Sequence, residues 1–185
     1  LASPHLQCGQ CVQQCPALVR CVVALDYAFP WDQWLQSLKF RGRLAVAPWL
    51  AHSLGAALAR AHSQPHPPPT ATLVLPVPLS ARRMRERGFN QSLEIARQLP
   101  GQRQYRLCTR TLVRIRETRR QSDLPLGERL ANLRQAFQVM QPVVGQHVAI
   151  VDDVMTSGAT VFEVAATLQR AGAASVQAWV VARTP

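Results

Sequence analysis

The chain has 185 residues, 48% of them hydrophobic, and a formal net charge of +11. That is enough apolar material for one well-packed domain with a small appendage, and it argues against a disordered chain. No apolar run approaches the roughly 18 residues of a membrane span, and the N-terminus lacks the basic-then-apolar order of a secretion signal. No membrane insertion is expected, and the cytoplasm is the expected location.

Almost all the positive charge is arginine: of 21 Lys and Arg residues, only Lys39 is a lysine. Its distribution is uneven. Between Arg82 and Arg134, fourteen arginines stand against five acids, so nine of the eleven excess charges fall in under a third of the chain. Some of these arginines belong to an ordinary solvated face. Their clustering points to an anionic partner, either a polyphosphate or a nucleic acid.

In chain order, residues 1–21 form a cysteine-containing head, and residues 22–185 form the main domain. "CVVALDYAF" is β-branched and apolar and predicts a strand. "PWDQWLQSL" places Trp31, Trp34, Leu35 and Leu38 at helical spacing, a stripe that faces a core. A second helix is predicted from about Pro48 to Ala61, with Leu50, Leu54, Leu58 and Ala61 on one face. "SQPHPPPTA", residues 63–71, has no period and reads as a proline-rich connector. "TLVLPVPLS" is a short strand ended by prolines, and "ARRMRERGFNQ" after it reads as an arginine-rich turn. Asn90 is placed to cap the helix "QSLEIARQL", which stops at Pro100-Gly101. A strand near Tyr105 to Cys108, with Cys108 as a core thiol, leads into the polar segment 109–127. That segment is too long for an idle turn and is expected to be a mobile, functional flap; a helix from Gly127 to Gln135 follows it. Apolar strands alternating with helices predict an α/β fold, a mainly parallel sheet flanked by helices.

The most informative stretch is "HVAIVDDVMTSGATV", residues 147–161. Val148 to Val151 is a continuous apolar run, as expected of a strand covered on both faces in the middle of a parallel sheet. Asp152 and Asp153 then emerge at its C-terminal end, the edge where ligands sit in open α/β sheets. Thr156, Ser157 and Gly158 make a turn without bulky side chains, and "ATVFEVAATLQRAG" continues as a helix. Backbone N–H groups, two hydroxyls and a positive helix end therefore converge there as a phosphate cradle. Two acids beside an anion cradle are reconciled if the ligand is a phosphorylated sugar. Its phosphate enters the turn and its vicinal hydroxyls donate to the carboxylates.

"VAIVDDVMTSGAT" resembles the phosphoribosylpyrophosphate-binding signature of type I phosphoribosyltransferases. "LKFRG", "LVLPVPLS", "RRMRERGFNQS", "RETRRQSDL" and "ERLANLRQAF" resemble, in order and spacing, the ComF/GntX group of competence-associated phosphoribosyltransferase-like proteins. The resemblance implies that Asp152 and Asp153 are the catalytic acid pair and hold the ribose 2- and 3-hydroxyls. It assigns the 5-phosphate to Thr156, Ser157, Gly158, Ala159 and Thr160. Pro78, Leu79 and Ser80 would contact pyrophosphate, with Arg82, Arg83 and Arg87 nearby, and a flap carrying Arg119 and Arg120 would close over the site. Magnesium would bridge pyrophosphate and ribose oxygens while keeping water and substrate in its coordination sphere. If the chain is an enzyme, the reaction is pentosyl transfer, associated with DNA uptake or use. One departure bears on the acceptor: Thr156 stands where purine-salvage members carry an acid, which argues against purine salvage.

"CGQC", Cys8 and Cys11, has the spacing of half a zinc site. In the resembled group two such pairs make a four-cysteine finger. The sequence opens at Leu1 without methionine, so a first pair is expected in a preceding segment, with Cys15 or Cys21 as stand-ins. "HLQCGQCVQQCP" also reads as His5, Cys8, Cys11, Cys15 and Pro16, a ferredoxin-type cluster spacing, and plain reduced thiols are the third alternative. A rival function for the whole chain is single-stranded nucleic-acid binding through the arginine band, with Trp31, Trp34 or Phe89 as stacking surfaces. The expected partners are thus phosphoribosyl pyrophosphate, with single-stranded DNA and DNA-uptake proteins as further ones.

Overall fold

The computed structural model describes residues 17–101, 103–118 and 125–184. Its main sheet contains β1 (Arg20–Asp26), β2 (Leu73–Pro76), β3 (Arg106–Leu107), β6 (His147–Met155) and β7 (Ser175–Arg183). They lie in the order β1-β7-β6-β2-β3, and every neighbouring pair is parallel. A separate antiparallel ribbon pairs β4 (Leu112–Arg114) with β5 (Phe137–Val139). The helices are α1 (Trp31–Arg41), α2 (Ala47–His62), α3 (Ala81–Arg87), α4 (Gln91–Gln98), α5 (Leu126–Leu133) and α6 (Ala159–Arg170). The predicted α/β architecture with a mainly parallel, helix-flanked sheet is therefore the one observed.

Alternation along the central strand builds two cores, because successive strand residues point to opposite faces. Val148 and Ile150 pack with Val164 and Leu168 of α6 and with Phe137. Ala149 and Val151 face the other way, against Leu50 and Leu54 of α2 and Ile95 of α4. Leu35 and Leu38 of α1 join this second core, whereas Trp31 and Trp34 stay half-buried in an edge-to-face pair 5.5 Å apart. Residues 63–71 link α2 to β2 as expected of a connector. Since β1 belongs to the main sheet, the connector is a crossover within one domain.

Two boundaries differ from the sequence expectation. "ARRMRER" is not a turn but helix α3. Ser80 caps it by accepting the Arg83 N–H, and left-handed Gly88 (φ 79°) closes it on the Met84 carbonyl. Strand β6 runs through Met155, so Asp152 and Asp153 lie inside it rather than beyond its end. On the β7 side, pairing continues to Met155 opposite Arg183. On the β2 side it stops with Pro76 opposite Val151 and a last bond from the Val77 N–H to the Val151 carbonyl. The acids therefore line the crevice opened where β2 peels away. The chain winds outward in opposite directions from β2 and β6, which makes this the topological switch point of the sheet.

Candidate ligand cleft

A cleft of about 720 Å³ opens at this switch point. Its lining includes Val77, Pro78 and Leu79 from the end of β2, and Asp152 to Val161 from β6 and the start of α6. Lys39 and Phe40 of α1, Arg83 and Arg87 of α3, Ser92 of α4 and Arg114 of β4 complete the charged and aromatic walls. Asn90 fastens two of these walls together. Its side-chain oxygen accepts the N–H groups of Ser92 and Leu93, the predicted cap of α4, and its amide donates to the Val77 carbonyl at 2.9 Å.

Both acids are buried, and their partners differ. Asp152 Oδ1 accepts from Ser92 Oγ at 3.2 Å and from the Asp153 N–H at 3.0 Å. Asp153 Oδ1 accepts the Val154 N–H at 2.9 Å, and its Oδ2 lies 2.9 Å from Lys39 Nζ. Burial raises the pKa of any carboxyl, and for Asp152 the adjacent Asp153 charge adds to it, so Asp152 is pushed up to about 7. Burial acts on Asp153 as well, but the Lys39 ammonium outweighs it and holds this carboxyl below the usual range. At neutral pH Asp153 is ionised and Asp152 about half so, and Lys39 balances the Asp153 charge.

This asymmetry has a measurable consequence. Because the folded pKa of Asp152 lies above the ordinary 3.8, the folded chain retains a proton that the unfolded chain releases. Its stabilising contribution is fully present below about pH 4 and is lost as pH rises through about 7. The stability difference between Asp152→Asn and the native protein should therefore shift in favour of the variant from about pH 5 to about pH 8, read as urea midpoints. A difference independent of pH would contradict the assignment.

The turn after β6 is shaped for an anion. Gly158 has φ 76° and precedes α6, and Phe162 closes the first helical turn by donating to the Gly158 carbonyl at 2.9 Å. A Cβ on Gly158 would lie 2.6 Å from the Phe162 ring, so only glycine fits between turn and core. The N–H groups at the start of α6 have no acceptor within the helix and point with its positive end toward the cleft. Thr156, Ser157, Gly158, Ala159 and Thr160 all line it.

Other predicted residues divide. Pro78 and Leu79 line the cleft, and Ser80 is buried as the cap of α3. Arg83 and Arg87, one helical turn apart, both line it. Arg82 does not. Its guanidinium is exposed beside Glu86 at 3.7 Å, and its backbone N–H donates to Glu117 Oε1 at 2.9 Å. That bond, with a further one from Ser80, holds the Glu117 carboxyl below its ordinary pKa. Arg119 and Arg120 lie outside the described residues, as do Cys8, Cys11 and Cys15. Cys21 sits exposed on β1, and Cys108 packs half-buried against the first core. Among the described residues, no group of three or more His, Cys, Asp or Glu side chains is arranged to hold a metal.

Three cleft residues went unmarked in the sequence reading. Lys39 holds Asp153. Arg114, whose pKa burial and the facing Arg83 lower to about 10, remains charged at neutral pH. Phe40 is 71% exposed under the Arg87 guanidinium, 5.8 Å from its ring centre. The predicted stacking candidates Trp31, Trp34 and Phe89 are each half-buried, so Phe40 is the better-presented ring.

Comparison with known proteins identifies the chain's family. Residues 86–185 match the model of the phosphoribosyl transferase domain. The chain is 40% identical over 185 residues to DNA utilization protein YhgH of Escherichia coli O6:H1, covering 97% of this chain and 79% of that protein. It is 30% identical over 179 residues to competence protein F of Haemophilus influenzae, covering 95% and 78%. It is also similar to a solved hypoxanthine phosphoribosyltransferase from Staphylococcus aureus at 12% identity and TM-score 0.43, over 77% of this chain and 75% of that one. That likeness is too distant to carry anything about activity. The domain match and the two relatives make this chain a member of the phosphoribosyltransferase-domain family that includes DNA utilization protein YhgH and competence protein F.

Proposed function

We propose that the cleft binds 5-phosphoribosyl 1-pyrophosphate with magnesium, in a protein associated with DNA uptake or use. The observation that carries this reading is the pairing of two buried acids with an open anion turn across one cleft at the sheet's switch point. The ribose hydroxyls donate to Asp152 and Asp153. The 5-phosphate lies against the amides and hydroxyls of Thr156 to Thr160, and the pyrophosphate faces the Val77–Ser80 turn with Arg83, Arg87 and Arg114 around it.

Magnesium fits this donor set only as the ligand's companion. Asp152 and Asp153 supply hard oxygen donors, but Asp153 already has Lys39 at 2.9 Å, so most of the ion's coordination comes from ligand oxygens and water. When bound, the ion would neutralise charge on the pyrophosphate. The protein's own groups fix the sugar, stabilise the same charge through arginines, and shield the reacting carbon from water. The association with DNA rests on the names of the relatives.

Calorimetric titration with phosphoribosyl pyrophosphate and magnesium tests the reading. Binding is expected, and clearly weaker binding for ribose 5-phosphate, which lacks the pyrophosphate that the arginines meet. Equal affinity for the two, or no heat with either, would refute it. A second reading, single-stranded nucleic-acid binding, is favoured by Phe40 lying exposed beneath Arg87 at the cleft rim. It requires salt-dependent binding of oligonucleotides that survives loss of both aspartates.

A further inference from the structure

Lys39 is the single lysine in a chain that otherwise uses arginine for positive charge. It lies in the last turn of α1, and left-handed Gly42 ends that helix by donating to the Ser37 carbonyl. The segment is thereby fixed with the ammonium directed at the acid pair. The Nζ to Asp153 Oδ2 distance is 2.9 Å, with the lysine side chain 26% exposed and the carboxylate 5%. Burial by itself would lower the lysine's pKa, but the Asp153 carboxylate, with Asp152 behind it, holds it above the ordinary value.

This ammonium stands in the cleft beside the acids to which the proposed sugar diol donates. Asp153 cannot lose it without another cation or donor arriving, because a buried carboxylate left uncompensated is costly. The residue type also matters. A guanidinium forms a rigid two-pronged bond to one carboxylate, whereas an ammonium is a compact charge with three rotatable donors. It can keep Asp153 and still turn a second donor toward the cleft, where 26% of the side chain is open.

We infer that Lys39 is a ligand-binding residue of the cleft. Its ammonium bridges Asp153 and an anionic oxygen of the bound sugar diphosphate, and so adds to the neutralisation that magnesium and the cleft arginines supply. This inference deepens the sugar-diphosphate reading of the site and rests on it.

The test is calorimetric titration with phosphoribosyl pyrophosphate, in magnesium and in EDTA, for the native chain, Lys39→Met and Lys39→Arg. The native protein is expected to keep binding in EDTA, weakened by about tenfold or less. Lys39→Met should lose on the order of thirtyfold or more in EDTA and much less in magnesium. Lys39→Arg, which keeps the charge, should retain much of the binding in EDTA. A lysine that only neutralises Asp153 would lower both affinities by the same factor, leaving the ratio between buffers unmoved. That ratio, or native binding that vanishes in EDTA, overturns the inference.

A second measurement needs no variant to fold. Since Lys39 is the only lysine, carbon-13 labelling at the lysine ε position gives one side-chain signal. It should shift when phosphoribosyl pyrophosphate is added in EDTA, and an unmoved signal at saturation overturns the bridging role. Absence of binding in both buffers instead strikes the sugar-diphosphate reading itself.

Discussion

Replacing both acids, Asp152→Asn with Asp153→Asn, lowers the affinity for phosphoribosyl pyrophosphate by about a hundredfold or more. Hydrogen bonds to an ionised acceptor are worth about 1.5–3 kcal/mol each, and two hydroxyls lose theirs at once. The fold survives because the two changes partly offset one another. Asp152→Asn removes a carboxyl whose ionised form burial opposes, while Asp153→Asn leaves the Lys39 ammonium, 26% exposed, without its carboxylate. A net loss of about 1–3 kcal/mol is expected, well under the cost of breaking a fully buried pair. Titration calorimetry beside urea unfolding separates the two effects. An affinity within about threefold of native, for a variant with an intact unfolding transition, would remove the acids from the binding site.

Gly158→Val acts on the fold and the ligand together. The residue sits at φ 76°, a region that β-branched side chains avoid, and its Cβ would lie 2.6 Å from the Phe162 ring, itself 8% exposed in the first core. Backbone strain of about 1–3 kcal/mol and a similar overpacking term predict a loss of roughly 3–5 kcal/mol in urea unfolding. Binding should fall further, because the displaced turn no longer aims its amides into the cleft. Gly145→Ala is the control. Gly145 has φ 72°, but nothing lies within 4 Å of a Cβ there, so only the backbone cost of about 1 kcal/mol is expected. Equal losses at the two sites would mean that the Phe162 contact does not constrain the turn.

The chain states some of this plainly and hides the rest for physical reasons. Val148 to Val151 announces a strand buried on both faces, and Asn90 announces the cap of α4, because both signals are local. Helix α3 was invisible to hydrophobic periodicity since it buries none of its residues; Ser80 and Gly88 cap it, and Glu117 accepts the N–H of Arg82. Once it is helical, Arg83 and Arg87 share the cleft face and Arg82 is turned away. A turn would imply no such division. The placement of Asp152 and Asp153 inside β6 depends on β7 extending opposite them while β2 departs, which only strand pairing reveals. Lys39 reaches Asp153 across more than a hundred residues. Its traces in the sequence are its residue type and its place in "LKFRG", and neither indicates Asp153 as its partner.

A crystal structure of the protein grown with saturating phosphoribosyl pyrophosphate and magnesium measures the central claim most directly. The account predicts ribose hydroxyls within hydrogen-bonding reach of Asp152 and Asp153, and the 5-phosphate seated on the backbone of Thr156 to Thr160. A ligand bound with its sugar away from both carboxylates, or an empty cleft at saturation, would contradict it.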